Sequence, residues 1–252
     1  MTTYRTPEGL SIDICIFTIT SENKKSVTKS LPRRELSILL KQRKVPPFKD
    51  LWAIPGGFSK EDETLEEAAF RELQEETNSG QEVHIEQLQA YYSPGRNPRG
   101  WIPCVVYVAL INENLLASQE ARDEAAAVRL FPVSQALQME LAFDHNHILA
   151  DAVRHVQQKM MTTTIAKELL NETFTIGQLY QVIQTVVPEF QEEKPNFIRK
   201  MVSTKTRKGL LEEVLDEEGL PLYSDQFSQR KAKLYKFSNY QPHLSIYNSY
   251  IY

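Results

Sequence analysis

The sequence has only two cysteines, no apolar run approaching the roughly 18 residues that a membrane-spanning helix needs, and no repeated or low-complexity segment. Its first residues also lack the apolar core of a signal peptide. These absences argue against a disulfide scaffold, a helical membrane protein and a secreted precursor, so we expect a cytoplasmic protein without a membrane partner. Cys15 and Cys104 lie in apolar, strand-like runs, which favours buried thiols over a disulfide or a metal pair.

Charge is unevenly distributed along the 252 residues. The net charge is −4, yet residues 159–236 contain 12 Lys or Arg against 11 Asp or Glu, which leaves −5 for the remainder. The length allows one large domain or two ordinary ones. The charge asymmetry indicates two domains with different partners.

A turn followed by an acidic helix, over residues 57–76, is the most informative stretch. The Pro-Gly-Gly run at 55–57 is a turn signal. Thr64 followed three residues later by Glu67 matches a capping box, which places the helix start there. Three apolar residues recur every four positions and predict the buried face of this helix: Leu65, Ala69 and Leu73.

Another face of this helix carries three glutamates, Glu72, Glu75 and Glu76, at spacings i, i+3 and i+4. Their like charges repel at this spacing, and a hard divalent cation such as Mg²⁺ would relieve the repulsion because it prefers carboxylate oxygens. Such an ion can also neutralise a substrate phosphate and activate a water. Arg71 can pair with a neighbouring glutamate and hold it in place. The alternative is an ordinary solvated acidic face.

The same residues resemble the Nudix box, the signature of hydrolases of nucleoside diphosphates linked to another moiety. The matching pattern is Gly57-x5-Glu63-x7-Arg71-Glu72-Leu73-x-Glu75-Glu76. The resemblance implies a catalytic set of Arg71, Glu72, Glu75 and Glu76. It further implies that the three glutamates bind Mg²⁺ or Mn²⁺, that Gly57 contacts the substrate and that a pyrophosphate bond is cleaved. Family members usually continue with glycine and an aliphatic residue where this chain has Asn78 and Ser79.

Apolar segments predict strands at residues 11–19, 36–40, 83–92, 105–111 and 128–133. A Nudix domain has the same order of strand, loop, strand, glycine turn and acidic helix. The resemblance therefore implies an α/β (α+β) fold, namely a Nudix α/β/α sandwich around a mixed sheet.

A rigid loop at residues 93–101 carries Arg96 and Arg99 among prolines and glycines. Arginine binds phosphate in a fork and stacks on flat bases, although an exposed basic loop without a ligand fits the spacing equally well. The run resembles the Ser-Pro-Gly-Arg-Asp-Pro-Arg-Gly stretch of ADP-ribose pyrophosphatase-like Nudix proteins, with Asn97 in place of Asp. This resemblance implies that both arginines contact a ligand like ADP-ribose. Aromatic residues that could stack on its adenine, or belong to the core, are Tyr91, Trp101 and Tyr107.

A helix is predicted from residue 143, and it contains three of the five histidines. His145 and His147 are two positions apart and point in different directions on a helix. This favours ordinary helix residues over the ligands of a zinc site. The Leu-Ala-Phe-Asp-His run resembles a Nudix subgroup, the Nudix-related transcriptional regulators of NAD metabolism.

The favoured domain boundary lies in the Met-Met-Thr-Thr-Thr run within residues 159–164. It gives a Nudix domain over residues 1–160, a second domain over 161–240 and a tyrosine-rich tail over 241–252. The tail either adds a strand to the fold or to a partner subunit, or is a frayed terminus.

The second domain has the order helix, helix, basic helix, hairpin, which suggests a winged helix-turn-helix. Short helices are predicted at 165–170 and 176–187, the second capped by Thr175. Residues 194–208 contain six basic and no acidic residues, and the hairpin strands are predicted at 210–215 and 231–237. The residues of the basic helix predicted to face inward are Phe197, Ile198, Met201 and Val202.

The basic helix provides the candidate contacts to double-stranded DNA: Lys194, Asn196, Arg199, Lys200, Lys205, Arg207 and Lys208. The wing, with Arg230, Lys231 and Lys233, would touch the DNA backbone. The alternative is a small α+β domain with a solvated basic helix. The order of elements after a Nudix domain resembles the same regulator subgroup, which favours DNA.

The resulting hypothesis is a homodimeric regulator of NAD or sugar metabolism that binds, and hydrolyses, an ADP-ribose-like compound with Mg²⁺. One alternative is a plain Nudix pyrophosphohydrolase whose C-terminal domain serves dimerisation or substrate cover. The other is a repressor whose Nudix pocket senses the ligand without cleaving it.

Overall fold

Contacts between residues divide the chain into two units in a computed structural model, which describes residues 7, 9–21, 31–77, 83–115, 128–202, 209–225 and 231–239. The first unit comprises Met1–Thr18 and Leu36–His155, and the second comprises Ile19–Glu35 and Val156–Tyr252. The sequence did not indicate that the segment Ile19–Glu35 groups with the C-terminal part. The domain boundary at residue 160 stays a prediction.

A mixed sheet and several helices make up the N-terminal part of the chain. In order, the elements are β1 Ser11–Ser21, β2 Arg34–Gln42, β3 Trp52–Ala53, β4 Gly56–Phe58, α1 Leu65–Thr77, β5 His84–Tyr91, β6 Cys104–Leu110, β7 Val128–Pro132, α2 Val133–Ala136 and α3 His145–Thr162. The strand order is β3-β2-β1-β6-β5, while β4 pairs with β1 and β7 with β2. Strands β1 and β6 are parallel, whereas β4, β5 and β7 pair with their neighbours antiparallel. The sheet is therefore mixed, as predicted.

Helix α1 begins at the predicted capping box. The Thr64 amide donates to Glu67 Oε2 at 2.7 Å, and the Glu67 amide donates to Thr64 Oγ1 at 3.2 Å. Ala69 and Leu73 are buried and Leu65 is partly buried, so the predicted apolar face is confirmed. This face packs against the core formed by β1 and β6.

The helix predicted from residue 143 begins two residues later, at His145. Phe143 has a φ of 56°, a left-handed conformation that a helix cannot contain. The reversal at Phe143 therefore separates the helix from the segment before it.

The predicted C-terminal elements occur in the predicted order, together with two short strands that were not predicted, at Phe174–Thr175 and Tyr223–Ser224. They are a 3₁₀ helix Ile165–Leu169, β8 Phe174–Thr175, α4 Ile176–Val186, α5 Lys194–Val202, β9 Leu211–Glu213, β10 Tyr223–Ser224 and β11 Ala232–Phe237. Strand β11 pairs with β8, β9 and β10. Thr175 caps α4 as predicted, since its Oγ1 accepts from the Gln178 amide while the Gln178 side chain accepts from the Thr175 amide.

The basic helix α5 is anchored by one aromatic residue, Phe197. Phe197 is buried, with ring centroids 5.3 Å from Tyr180 and 5.9 Å from Phe190. Ile198 and Met201 are only partly buried, and Val202 is 49% exposed. The prediction that Val202 faces inward is therefore wrong.

Both cysteines are buried and neither forms a disulfide, as the apolar runs around them predicted. Burial, followed by the nearby charge of Asp13, raises the pKa of both thiols. None of the helices in the described part of the chain has the length and apolar character needed to cross a membrane.

Candidate functional site

Arg71 connects the loop before α1 with the acidic face of the helix. Its Nε and Nη2 donate to the two carboxylate oxygens of Glu63 at 3.0 and 2.8 Å. Its Nη1 donates to Glu72 Oε1 at 2.6 Å, and Nη2 also reaches the carbonyl of Phe58 at 3.1 Å. The hydrogen bonds from Arg71 lower the pKa of Glu63 to about 2. Arg71 therefore holds two carboxylates and one backbone carbonyl in fixed positions.

Glu72 is the buried carboxylate of the acidic face, and Gly57 lies directly against it. A Cβ on Gly57 would lie 2.8 Å from Cδ and 3.0 Å from Oε2 of Glu72, and closer still to Oε1. Burial raises the pKa of Glu72, the nearby charges of Glu75 and Glu76 add to this, and Arg71 opposes it. The box requires glycine at position 57 because any side chain would displace this carboxylate.

Glu75 and Glu76 differ in exposure. The Glu75 side chain is 59% exposed and lies 3.4 Å from Arg71 Nη1. The Glu76 side chain is 6% exposed, and Lys41 Nζ approaches its Oε1 to 2.5 Å. Lys41 was not predicted to contact the site, because its strand lies 35 residues away in sequence.

The three glutamates offer the oxygen donors that a hard divalent ion requires. In the described residues, however, no three carboxylate, histidine or cysteine side chains converge closely enough to hold a metal ion. Arg71 contacts Glu72 and, at 3.4 Å, Glu75, while Lys41 contacts Glu76. The donor chemistry thus fits a divalent ion, provided that the ion gathers these side chains as it binds.

Arg96 and Arg99 lie near each other but have different environments. Arg96 forms a fork with Asp144, at 2.9 and 2.8 Å, and its side chain is 5% exposed. The guanidinium of Arg99 lies 5.4 Å from the ring of Phe58 and 5.7 Å from that of Phe143. Arg99 also donates to Asn97 Oδ1 from its Nε at 3.2 Å. A ligand contact by either arginine stays a prediction.

A cavity of about 200 Å³ brings the predicted residues Gly57, Arg96 and Arg99 together. The other lining residues include Asp13, Arg43, Phe58, Phe143 and His145. Because Gly57 both lines this cavity and contacts Glu72, the cavity adjoins the acidic face of α1.

Arg43 and Phe143 are cavity residues that the sequence reasoning missed. The guanidinium of Arg43 lies 4.7 Å from the Phe143 ring, which thus has two arginines near it. Burial, followed by the charge of Arg99, lowers the pKa of Arg43. Two cations that repel each other beside an aromatic ring suit an anionic ligand with a flat group. The double proline before Phe48 marked only an irregular segment, and nothing in it pointed to Arg43.

His145 is a buried structural residue next to the cavity. Its Nδ1 accepts from the Ile54 amide at 2.9 Å, and its Nε2 lies 3.4 Å from Asp13 Oδ2. Burial opposes ionisation of Asp13, but hydrogen bonds from His145 and Cys104 outweigh it and lower the pKa of this carboxyl. His147 is exposed, and His155 Nε2 lies 2.7 Å from Glu86 Oε1.

The three aromatic candidates for stacking have separate locations. Tyr107 is 2% exposed and lies in the core, which confirms for this residue the alternative that the aromatic residues belong to the core. Trp101 is 42% exposed. Tyr91 lines a second cavity, of about 430 Å³, together with Phe48, Phe143 and His147.

The basic candidates of the second unit are partly engaged with neighbouring groups. Lys194 is exposed, Arg199 Nη2 donates to Asn196 Oδ1 at 2.7 Å, and Lys200 pairs with Glu192. In the hairpin, Lys233 pairs with Glu213 at 2.7 Å. The candidates that lie outside the described residues are Lys205, Arg207, Lys208 and Arg230.

Comparison with known proteins identifies the family of this chain. The NUDIX domain model matches residues 26–152, about half of the chain. The chain belongs to the Nudix family. It is 32% identical over 211 residues to the ADPR responsive transcriptional repressor NtrR of Acinetobacter baylyi, a match that covers 83% of this chain and 78% of the repressor.

Two further matches describe the Nudix part and the whole chain separately. The ADP-ribose pyrophosphatase of Methanocaldococcus jannaschii is 38% identical over 121 residues, or 48% of this chain and 68% of that enzyme. The crystal structure of Shewanella oneidensis NrtR complexed with a 27mer DNA has a TM-score of 0.71 at 29% identity, covering 91% of this chain and 93% of that chain. The predicted Nudix fold with a C-terminal domain is therefore confirmed. Nudix hydrolases generally use divalent metal ions, which supports a metal-dependent family without specifying the ion.

Proposed function

We propose that this protein is an ADP-ribose-responsive transcriptional regulator whose Nudix unit binds the ligand and whose C-terminal unit binds double-stranded DNA. The single observation that carries the ligand half is the cavity lined by Gly57, Arg43 and Arg99, since it adjoins the acidic helix. Similarity to the ADPR responsive repressor and to NrtR complexed with DNA supports the combination of the two activities.

The ligand would place its diphosphate against Arg43 and Arg99, whose guanidinium groups supply positive charge at the cavity. A flat group of the ligand would pack on Phe143, the ring that both guanidinium groups approach. Arg96 would act as a wall of the cavity, because Asp144 already accepts two of its hydrogen bonds. Gly57 would let the ligand approach the backbone beside Glu72.

We further propose that the protein hydrolyses the ligand when Mg²⁺ or Mn²⁺ is held by Glu72, Glu75 and Glu76. The ion would neutralise diphosphate charge and favour attack by water. Arg71 would keep Glu72 in place through its 2.6 Å hydrogen bond while Glu75 and Glu76 turn toward the ion. The retained carboxylates Glu72, Glu75 and Glu76 favour this activity over a purely sensing repressor.

DNA binding would use α5 and the residues after it. Lys194 and Arg199 are exposed on α5, and Asn196 and Lys200 lie on the same helix. Lys205, Arg207 and Lys208 stay candidate DNA contacts from the sequence alone. We propose a two-fold homodimer on the duplex, since regulators of this class bind paired half-sites, and a cytoplasmic location where the DNA is accessible.

Two assays test the two halves separately. Incubation of the full chain with ADP-ribose and Mg²⁺ should release AMP and ribose phosphate, and Glu75→Gln should slow the release at least tenfold. Absence of products from the wild type would overturn hydrolysis but leave ligand sensing intact. A duplex selected by the protein from a random-sequence pool should bind it, most tightly at low salt. No enrichment even at low salt would overturn DNA binding.

A further inference from the structure

Lys41 reaches the acidic helix from a different element of the Nudix unit. It lies on β2, opposite Ala53 of β3 and Val128 of β7, so its backbone is held within the sheet. Its ammonium group approaches Glu76 Oε1 to 2.5 Å. The Nudix pattern does not include this lysine, and its position in the sequence gives no sign of the contact.

The exposure of the carboxylates shows why this contact matters. Glu72 and Glu76 have side chains that are only 8% and 6% exposed, so water solvates their charge poorly. Each has a protein cation beside it, Arg71 for Glu72 and Lys41 for Glu76. Glu75, which is 59% exposed, depends least on such a partner.

A divalent ion at these glutamates would need the oxygen of Glu76 that Lys41 now contacts. An ammonium group and a divalent ion cannot share one carboxylate oxygen without strong mutual repulsion, because like charges a few ångströms apart repel each other strongly near a protein surface. Lys41 is half exposed and has a flexible stem, so its ammonium can withdraw into water when an ion arrives.

We propose that Lys41 is a built-in counter-ion of the acidic helix, and that a divalent cation must displace it to bind. Lys41 thereby sets the affinity for the ion and keeps Glu76 neutralised while the site holds none. This inference rests on the proposed metal-binding role of the Nudix box. Lys41 is a positioning residue, since it acts through Glu76.

Replacing Lys41 by methionine should therefore have two opposite effects. Without metal, the poorly solvated Glu76 loses its partner, so the thermal midpoint should fall. With Mn²⁺, affinity should rise by roughly three- to tenfold, because an exposed lysine competes only weakly. Saturating Mn²⁺ should then raise the thermal midpoint of the variant more than that of the wild type.

The experiment titrates Mn²⁺ into the full chain, with free Mn²⁺ counted by electron paramagnetic resonance and no nucleotide present. Lys41→Arg keeps the charge and should bind Mn²⁺ as the wild type does. Lys44→Met removes an exposed lysine three residues further along and should also leave the affinity unchanged. In a Glu76→Gln background, Lys41→Met should no longer tighten binding, because the contested oxygen has lost its charge.

Each outcome decides one proposal. The displacement of Lys41 by the ion is supported if Lys41→Met binds Mn²⁺ more tightly than the wild type while Lys41→Arg and Lys44→Met do not. It is also supported if Lys41→Met binds Mn²⁺ and the wild type binds none. Equal or weaker binding by Lys41→Met overturns it. If neither protein takes up Mn²⁺ while both still bind ADP-ribose in calorimetry, the metal-dependent function fails along with the role of Lys41, whereas ligand sensing stands.

Discussion

Replacing Gly57 by alanine tests how tightly the turn is packed against the acidic helix. The added Cβ would lie 2.8 Å from Cδ of Glu72, whereas an ordinary contact is 3.4–4 Å, so the carboxylate must retreat by at least about 0.6 Å. A free carboxylate would do so easily. This one is buried and accepts a 2.6 Å hydrogen bond from Arg71, which the movement would break.

The expected cost follows from that hydrogen bond. A hydrogen bond between charged groups contributes about 1.5–3 kcal/mol, so Gly57→Ala should lower the free energy of unfolding by about 2 kcal/mol. For a chain of this size the thermal midpoint should fall by roughly 4–8 °C. Circular dichroism during heating, in a metal-free buffer, measures the shift.

Two other glycines provide the controls. Gly56→Ala would bring a Cβ within 2.8 Å of Asp13 Cα and closer to the Ile12 carbonyl, which are backbone atoms that cannot turn aside, so it should cost at least as much. Gly177→Ala in α4 would meet its nearest atoms at 3.7 Å and should be neutral or slightly stabilising.

A double variant gives the decisive comparison for Gly57. In a Glu72→Ala background the blocking carboxylate is absent, so Gly57→Ala should cost less than half of what it costs in the wild type. Equal costs in both backgrounds would refute the steric argument, as would a thermal midpoint for Gly57→Ala at or above that of the wild type.

Three further predictions concern the stability of the site and of the second unit. The pKa of Glu63 is lowered from its ordinary value of 4.5, so ionised Glu63 stabilises the fold above pH 4.5, and this stabilisation is lost as the pH falls toward about 2. The difference in unfolding free energy between the wild type and Glu63→Gln should therefore shrink over that pH range in acid titrations. A difference that stays constant would contradict this prediction. Arg96→Lys keeps the positive charge but loses the two-point hydrogen bond to Asp144, so it should lower the free energy of unfolding in urea by about 1–2 kcal/mol. An unchanged free energy of unfolding would show that these hydrogen bonds contribute little. Thr175→Ala should cost about 1 kcal/mol by removing the α4 cap while Thr175→Ser should not, and equal losses would exclude the capping hydroxyl as the cause.

Local patterns made most of the fold predictable. The capping residues Thr64 and Thr175, the apolar face with Ala69 and Leu73, and the apolar run of β1 all depend on neighbours close in sequence, and each prediction matches the structure. The start of α3 was placed two residues early, because the left-handed conformation of Phe143 leaves no mark in an apolar run.

The parts of the site that could not be predicted from the sequence depend on contacts between residues distant in sequence. Lys41 meets Glu76 across 35 residues, and Arg43 meets Phe143 across the first unit. Arg96 was expected to face a ligand, but its fork to Asp144 spans 48 residues and could not be inferred from the loop alone. Motif spacing thus identifies the chemistry of the site, while its counter-ions and cavity walls require the folded chain.

The most direct test of the proposed regulator measures duplex affinity by fluorescence anisotropy with and without ADP-ribose, at fixed salt and without divalent metal, for the wild type and for Arg99→Gln. We expect ADP-ribose to change the Kd of the wild type at least fivefold and to leave that of Arg99→Gln nearly unchanged. A Kd of the wild type that does not respond to ADP-ribose, although the duplex is bound, would contradict the coupling of the Nudix cavity to DNA binding.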